Sequence, residues 1–252
     1  MKIIDAHAHI GEDVVFDEEL NEQDILDTMN RFGIHGAIVQ PMIARPYLDA
    51  AKTAHDRVHR FALAHPGRIW GMVSLNPHFA PEDFDAECAR CVRELGFVGI
   101  KIATSAFGCN PSKRDGMHVF EVARSLGVPV MVHTGSGIPF ADPVQLVQPA
   151  RSFPDVAIVV AHGGGDLTMT QCIQLARDYD NVYVEPSWTS ILGIEAMMRT
   201  LGPGKLMFST DMPQNTPVEL AKYRSAIPDE GDLALVLGGT CAQVFRLKET
   251  NA

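Results

Sequence analysis

Two histidines one residue apart, His7 and His9, stand in Asp5-Ala6-His7-Ala8-His9 directly behind the apolar start Met1-Lys2-Ile3-Ile4. Side chains alternate across a strand, so both imidazoles point the same way, close enough to grip one metal ion. Further metal-competent groups close later apolar runs: His133 in Pro129-Val130-Met131-Val132-His133, His162 in Ala161-His162-Gly163-Gly164-Gly165, and Asp211 in Ser209-Thr210-Asp211-Met212-Pro213. Imidazoles with one carboxylate suit zinc or another borderline divalent ion, and three or four protein ligands with one open position describe a catalytic site. Such an ion lowers the pKa of bound water from ~16 to ~7. Asp211 is placed to hold the ion and take the water's proton, and His162 to hydrogen-bond that water or polarise the substrate. A lone pair of surface histidines on an edge strand is the competing account of His7 and His9. The joint placement of all these groups at strand ends argues against it.

The elements that must position these residues follow a regular rhythm. Short apolar runs recur about every thirty residues, each followed by a polar loop and an amphipathic helical pattern. They are Lys2 to His7, Ala37 to Pro41, Ile69 to Leu75, Val98 to Ile102, Pro129 to His133, Ala157 to His162, Val182 to Glu185 and Lys205 to Asp211. Helical patterns span Glu22 to Phe32, Leu48 to His65, Pro81 to Leu95, Gly116 to Leu126, Asp142 to Ser152, Leu167 to Tyr179 and Ile194 to Thr200. Leu233 to Leu237 or Thr240 to Phe245 would supply the last helix. Eight strands of nearly uninterrupted apolar character, buried on both faces, predict an α/β fold of the (β/α)₈ TIM-barrel type, as one domain over residues 1–252. A doubly wound open sheet is the competitor, and no GxGxxG follows the first strand to support it.

Composition narrows the function. The 252 residues are 46% hydrophobic and 21% charged, ordinary for a globular chain, and the formal net charge is −10. No basic stripe exists to neutralise a phosphate backbone, so nucleic acid is not an expected partner. No run approaches the ~20 apolar residues of a spanning helix, and the start is too short for a signal peptide. The expectation is a cytoplasmic protein without a membrane partner, acting on a small molecule and compatible with a homo-oligomer. The five cysteines, Cys88, Cys91, Cys109, Cys172 and Cys241, are scattered and odd in number, as in a reducing compartment. Cys88 and Cys91 form a CxxC inside a helical pattern with no second pair, which reads as core packing.

These motifs, with Leu95-Gly96-Phe97-Val98-Gly99-Ile100-Lys101-Ile102 and Val132-His133-Thr134-Gly135, resemble the amidohydrolase superfamily over nearly the whole chain. The branch is that of metal-dependent hydrolases related to aminocarboxymuconate semialdehyde decarboxylase. The resemblance implies His7, His9, His133 and Asp211 as ligands of a catalytic zinc, manganese or other divalent ion, with His162 as an activating histidine outside the ligand set. In binuclear members a carboxylated lysine from the fourth strand bridges two metals, and Lys101 stands in that strand. If Lys101 is carboxylated, His162 joins the ligands and two ions are held. Otherwise there is one ion, and Lys101 is an amine that binds a substrate carboxylate.

Arg45, in the loop after the second strand, is a candidate for pairing with a carboxylate. Asn76 and His78 follow the third strand, and Phe107 and Trp188 follow the fourth and seventh; Trp188 is the aromatic candidate for substrate contact. Glu185 and Ser187 offer polar contacts, the acidic stretch Gly11 to Glu22 a lid, and Lys113-Arg114-Asp115 an exposed mixed-charge loop. The leading functional expectation is hydrolysis of an ester, lactone or amide of a carboxylate-bearing small molecule. Nonoxidative decarboxylation of an unsaturated or aromatic carboxylic acid is the alternative, and an inactive barrel acting as a binding protein is the third.

Overall fold

The computed structural model describes residues 1–14, 17–135 and 137–248. Its strands are β1 (Ile4–Asp13), β2 (Glu18–Leu20), β3 (Gly36–Pro41), β4 (Ile69–Gly71), β5 (Val73–Ser74), β6 (Ile100–Ile102), β7 (Val130–His133), β8 (Ile158–Ala161) and β9 (Val182–Glu185). Helices α1 (Glu22–Phe32), α2 (Leu48–Ala64), α3 (Pro81–Arg93), α4 (Thr104–Phe107), α5 (Arg114–Leu126), α6 (Val147–Ser152), α7 (Gly165–Asp178), α8 (Ile191–Leu201) and α9 (Thr216–Ala226) occupy the connections. Two more, α10 (Glu230–Ala234) and α11 (Thr240–Val244), follow them. No helix among the described residues is long and apolar enough to cross a membrane.

Parallel pairing runs β1–β3–β4 and β5–β6–β7–β8–β9. β4 and β5 are one wall interrupted at Met72, whose N–H reaches Val39 O while Val73 N reaches Gly99 O, each at 2.9 Å. The eighth wall is the extended segment 206–211. Met207 N donates to Val184 O at 2.9 Å, Ala6 N to Phe208 O at 3.0 Å, and Asp211 N to His7 O at 2.8 Å. Those bonds join β9 to β1 and close a (β/α)₈ barrel. The eighth expected strand is therefore present as a wall held by isolated bridges, Val184 with Leu206 and Ala8 with Asp211.

Two apolar layers follow from strand alternation. Val39, Ile100, Ile102, Val130, Val132, Ile158, Val160, Val182, Val184, Leu206 and Phe208 point outward and pack against the helices. Ile38, Met72, Met131, Val159 and Met207 point inward and fill the barrel. The helices bury matching faces: α1 turns Ile25 and Met29 inward, and its start is fixed by a capping box between Asn21 and Asp24.

Three features depart from the expected layout. The acidic stretch after His9 is partly strand rather than loop: β1 runs on to Asp13 and pairs antiparallel with β2, Gly11 opposite Leu20, so the segment offered as a lid contains a hairpin. Val15 and Phe16 of that stretch lie outside the described residues. The helix after the eighth wall is α9, which the periodicity does not reveal, because Val218 faces solvent while Leu220 and Tyr223 are buried. The expected final segment instead closes the barrel floor, where Cys241, Val244 and Phe245 join the interior cluster.

The third departure decides the site. Ile4 pairs with Gly36 and Asp5 with Ala37, but the next partners are Ala8 with Val39 and His9 with Gln40. β1 thus holds one residue more than β3 across that interval, a β-bulge. Ile4 and Ala6 lie inside the barrel, whereas Ala8 and Ile10 pack outside it. The bulge reverses the parity, so His7 and His9 inherit the inward face that unbroken alternation from Ile4 would deny them.

Candidate metal centre

One layer above the apolar filling, the barrel interior becomes polar. Two residues beyond Ile38, Met72, Met131, Tyr183 and Met207 stand Gln40, Ser74, His133, Glu185 and Ser209. Lys101, between the outward-facing Ile100 and Ile102, points into the same layer and is buried. Most strand ends therefore deliver a polar group to one small volume.

Three ligand atoms crowd together there. His7 Nε2 lies 3.0 Å from His9 Nε2 and 3.1 Å from Asp211 Oδ1, and His9 Nε2 lies 3.2 Å from the same oxygen. Donor atoms bound tetrahedrally to one ion at ~2.0–2.1 Å stand about 3.3 Å apart, so this triangle has the dimensions of one face of a coordination shell. Burial pushes the His7 imidazolium down to about 3. The ring is thus neutral at pH 7, as a ligand must be. Burial alone would raise Asp211, but the neighbouring His7 and His162 rings hold its carboxyl well below the usual range.

The shell behind these atoms is tightly specified. His7 Nδ1 is 2.8 Å from Glu185 Oε2. Glu185 is fully buried, and despite the burial its carboxyl is brought down to about 2 by the hydrogen bond and charge of His7 and by His162 and Ser209. A carboxylate there accepts the Nδ1 proton, which fixes the tautomer and leaves the Nε2 lone pair facing Asp211. Glu185 also accepts Ser187 N–H at 2.7 Å, His162 N–H at 3.3 Å and the Ser209 hydroxyl. Asp5 ties β1 to the eighth wall through Thr210 N at 3.0 Å and its own His7 N at 3.1 Å. Burial raises the Asp5 carboxyl to about 7 against the lowering effect of these bonds.

His133 and His162 stand beside the triangle rather than within it. Their rings meet through His162 Nε2 and His133 Nδ1 at 3.1 Å, and His162 Nδ1 is 2.8 Å from Ser187 Oγ. Among the described residues, the buried His133 Nε2 has no hydrogen-bond partner, nor does the buried His9 Nδ1. Burial drives the His133 imidazolium down to about 2, with His162 and Lys101 adding to the effect. A neutral, buried, unpaired ring nitrogen is the donor that a metal requires, so the residues present fit a divalent ion. Lys101 Nζ lies 2.9 Å from His7 Nε2, and burial lowers its ammonium to about 8.

Left-handed backbone recurs at this rim. His162, Trp188 and Asp211 have φ of 64°, 65° and 63°, a conformation that non-glycine residues adopt sparingly and that collects at functional sites. The loop after His162 passes so close to β7 that a Cβ on Gly135 would stand 2.4 Å from Gly164 C. Only glycine at position 135 lets the two loops touch.

Trp188 reaches the centre: its indole Nε1–H donates to Asp211 Oδ2 at 2.8 Å, and its backbone N–H donates to Glu219 Oε1 at 2.9 Å. Arg45 is exposed and has no side-chain contact to the centre among the described residues. His78 is engaged by Asp115 at 2.6 Å, and Phe107 packs against the outer core. Cys88 and Cys91 are buried in α3 with their thiols pushed far up by burial, in keeping with packing. Gln40 and Glu219 carried no expectation, and Glu185 and Ser209 carry more of the site than the sequence suggested. A polar residue closing an apolar run, as in Ala37-Ile38-Val39-Gln40 and Val182-Tyr183-Val184-Glu185, was the available signal.

Comparison with known proteins matches this layout. A 2-amino-3-carboxymuconate-6-semialdehyde decarboxylase of Dictyostelium discoideum is 23% identical over 205 residues, 66% of this chain and 57% of that protein, so the match spans little more than half of the relative. The crystal structure of 2,6-dihydroxybenzoate decarboxylase from Rhizobium superposes with a TM-score of 0.80 at 19% identity, covering 98% of this chain and 99% of the other. A 5-carboxyvanillate decarboxylase from Novosphingobium aromaticivorans, complexed with manganese and 4-hydroxy-3-methoxy-5-nitrobenzoic acid, gives a TM-score of 0.80 at 16% identity, over 98% and 96% of the chains. The family model described as Amidohydrolase matches residues 4–247. With that match along nearly its whole length and a barrel rim that gathers His7, His9 and Asp211, the chain belongs to the amidohydrolase family of enzymes.

Proposed function

We propose that the protein is a metal-dependent, nonoxidative decarboxylase of a small aromatic or unsaturated carboxylic acid. The observation that carries the metal is the triangle of His7, His9 and Asp211 ligand atoms at 3.0–3.2 Å; His133, with its unpaired Nε2, is assigned as the fourth ligand. The chemistry is supported by the relatives described above, which are decarboxylases. They favour what the sequence ranked second over hydrolysis of an ester, lactone or amide.

A bound divalent ion, zinc or manganese, supplies Lewis acidity toward the substrate's oxygens. Asp211, itself ionised, relays a proton taken up from solvent to the carbon that bears the carboxylate, and His162, 3.1 Å from His133, assists that transfer. The carbon–carbon bond then breaks, carbon dioxide leaves, and the bonding pair returns to the substrate. Lys101, buried in the same layer, is assigned to the substrate's carboxylate, while Trp188 forms part of the mouth. One ion is the preferred stoichiometry. An intact mass increased by one carbon dioxide, together with two metals per chain, would instead establish Lys101 as a carboxylated bridge.

The test is metal analysis joined to a substrate panel. Stoichiometric divalent metal and carbon dioxide release from hydroxybenzoates or unsaturated dicarboxylates are expected. Turnover of esters or lactones with no carbon dioxide from any acid would return the assignment to hydrolysis. Protein that neither retains a divalent ion nor gains activity on adding zinc or manganese would sink both.

A further inference from the structure

We infer that Trp188 is a positioning residue of the metal centre: its indole N–H holds one oxygen of Asp211 so that the other alone faces the histidine nitrogens, and Glu219 on α9 holds Trp188 there. The inference rests on the metal-centre reading above. Asp211 Oδ2 accepts the indole Nε1–H at 2.8 Å, while Oδ1 stands 3.1 Å from His7 Nε2 and 3.2 Å from His9 Nε2. The two carboxylate oxygens thus have different partners, and a charge-assisted bond from the indole is what separates them. Hydrogen bonds behind a ligating carboxylate fix its orientation.

Packing does not explain where the indole lies. Trp188 is 53% exposed, so water could satisfy its N–H in place of Asp211. Its backbone is left-handed, with φ 65°, a conformation that bulky residues rarely adopt and that persists only where surrounding contacts impose it. Those contacts come from α9. Glu219, fully buried, accepts the Trp188 backbone N–H at Oε1, 2.9 Å away, and Lys222 Nζ donates to the neighbouring Thr189 O at 2.7 Å.

The same helix start grips the other partner. Asn215, just ahead of α9, donates from Nδ2 to Thr210 O at 3.1 Å, one residue before Asp211, and to Glu219 Oε1 at 2.9 Å; Lys222 Nζ reaches that oxygen at 2.6 Å. Spacings of four and three residues place Asn215, Glu219 and Lys222 on one helical face. Through Glu219 Oε1 the loop after β9 and the end of the eighth wall share one anchor, so α9 sets the distance between the indole and Asp211. Removing the anchor returns the indole to solvent and frees Asp211 to turn about its side-chain bonds. An ion must then order the carboxylate itself, and affinity falls.

Zinc affinity, measured by competition of apoprotein against a fluorescent chelator, tests this together with spectra of protein carrying ¹⁵N-tryptophan, whose two indole N–H signals come from Trp70 and Trp188. In wild type, the Trp188 signal is expected to exchange with water more slowly than a free indole and to shift when zinc is added. Trp188→Phe, a change at a half-exposed ring, is expected to weaken zinc binding about 10–100-fold with native circular dichroism. Glu219→Leu is expected to do the same and to move the Trp188 signal to that of a free indole. Glu219→Gln, which keeps an acceptor oxygen for the Trp188 N–H, is expected to restore both. Should Glu219→Leu not fold, Glu219→Met, closer in length, takes its place. Wild-type zinc affinity in Trp188→Phe, or free-indole exchange of Trp188 in wild type, overturns the role of the indole. An unchanged Trp188 signal in Glu219→Leu, or a Glu219→Gln no better than it, overturns the anchoring by Glu219. Failure of wild type to bind zinc or manganese at all overturns the metal-centre reading, and this inference with it.

Discussion

Replacing Glu185 by Gln separates the metal's support from the metal's ligands. Glu185 accepts from His7 and His162 N at Oε2 and from Ser187 N and Ser209 at Oε1. A carboxamide of the same shape keeps one acceptor oxygen. Turned toward His7, that oxygen preserves the Nδ1–H bond, while the new NH₂ meets Ser187 N–H, donor against donor, and the Ser209 hydroxyl rotates to accept. One buried unsatisfied donor costs about 1–3 kcal/mol, which in a chain of this size lowers Tm by roughly 2–4 °C per kcal/mol. The loss of the buried negative charge acts on the ion instead. Removing a carboxylate behind a metal-binding histidine typically weakens metal affinity 10–100-fold, equivalent to about 1.4–2.7 kcal/mol. The assay is competition of apoprotein against a fluorescent chelator for zinc or manganese, with melting curves of apo and loaded forms. A variant with wild-type metal affinity would refute the support that the Glu185 charge gives the ion through His7, whatever happened to its Tm.

Two further outcomes follow. His7→Ala and Asp211→Ala are each expected to abolish activity and stoichiometric metal while far-UV circular dichroism stays native; wild-type turnover in either variant would refute its assignment as a ligand. Acidification of the apoprotein from pH 6 to pH 5 is expected to destabilise it. His7 and His133 have folded values of about 3 and 2, so in this window the unfolded chain binds two protons that the folded one does not. Asp5, raised to about 7, opposes with one, leaving a net uptake of one proton on unfolding. His162, lowered, and Glu219, raised, act in opposite directions. Stability rises with pH wherever the unfolded state holds more protons, so about 1.4 kcal/mol is lost per pH unit. Loaded protein should lose more, because protonation competes with the ion. Urea denaturation at the two pH values decides this, and stability that is flat or higher at pH 5 would contradict the buried neutral imidazoles.

Much of this protein was legible in the order of its residues. Apolar runs with helical segments between them specify a parallel barrel, because strands buried on both faces need apolar residues at consecutive positions. The groups able to hold a metal announce themselves by type at the ends of those runs: His7, His9, His133, His162 and Asp211. Other features depended on contacts between residues far apart in sequence. Periodicity did not show α9, since its exposed Val218 blurs the apolar stripe, nor the partnership of Glu185 with His7 across 178 positions. Trp188 and Arg45 looked alike as loop residues, and only the folded chain set one against Asp211 and left the other in solvent.

The facing of the histidine pair itself was decided by tertiary structure. Local alternation requires His7 and His9 to share a face, whichever face that is. Which one it is depends on an extra residue in β1 relative to β3, and register between strands is set by packing the neighbouring wall rather than by either sequence alone. The same applies to Gln40: the sequence shows a glutamine ending an apolar run, and the barrel's closure makes it a buried amide whose Oε1 has no partner among the described residues.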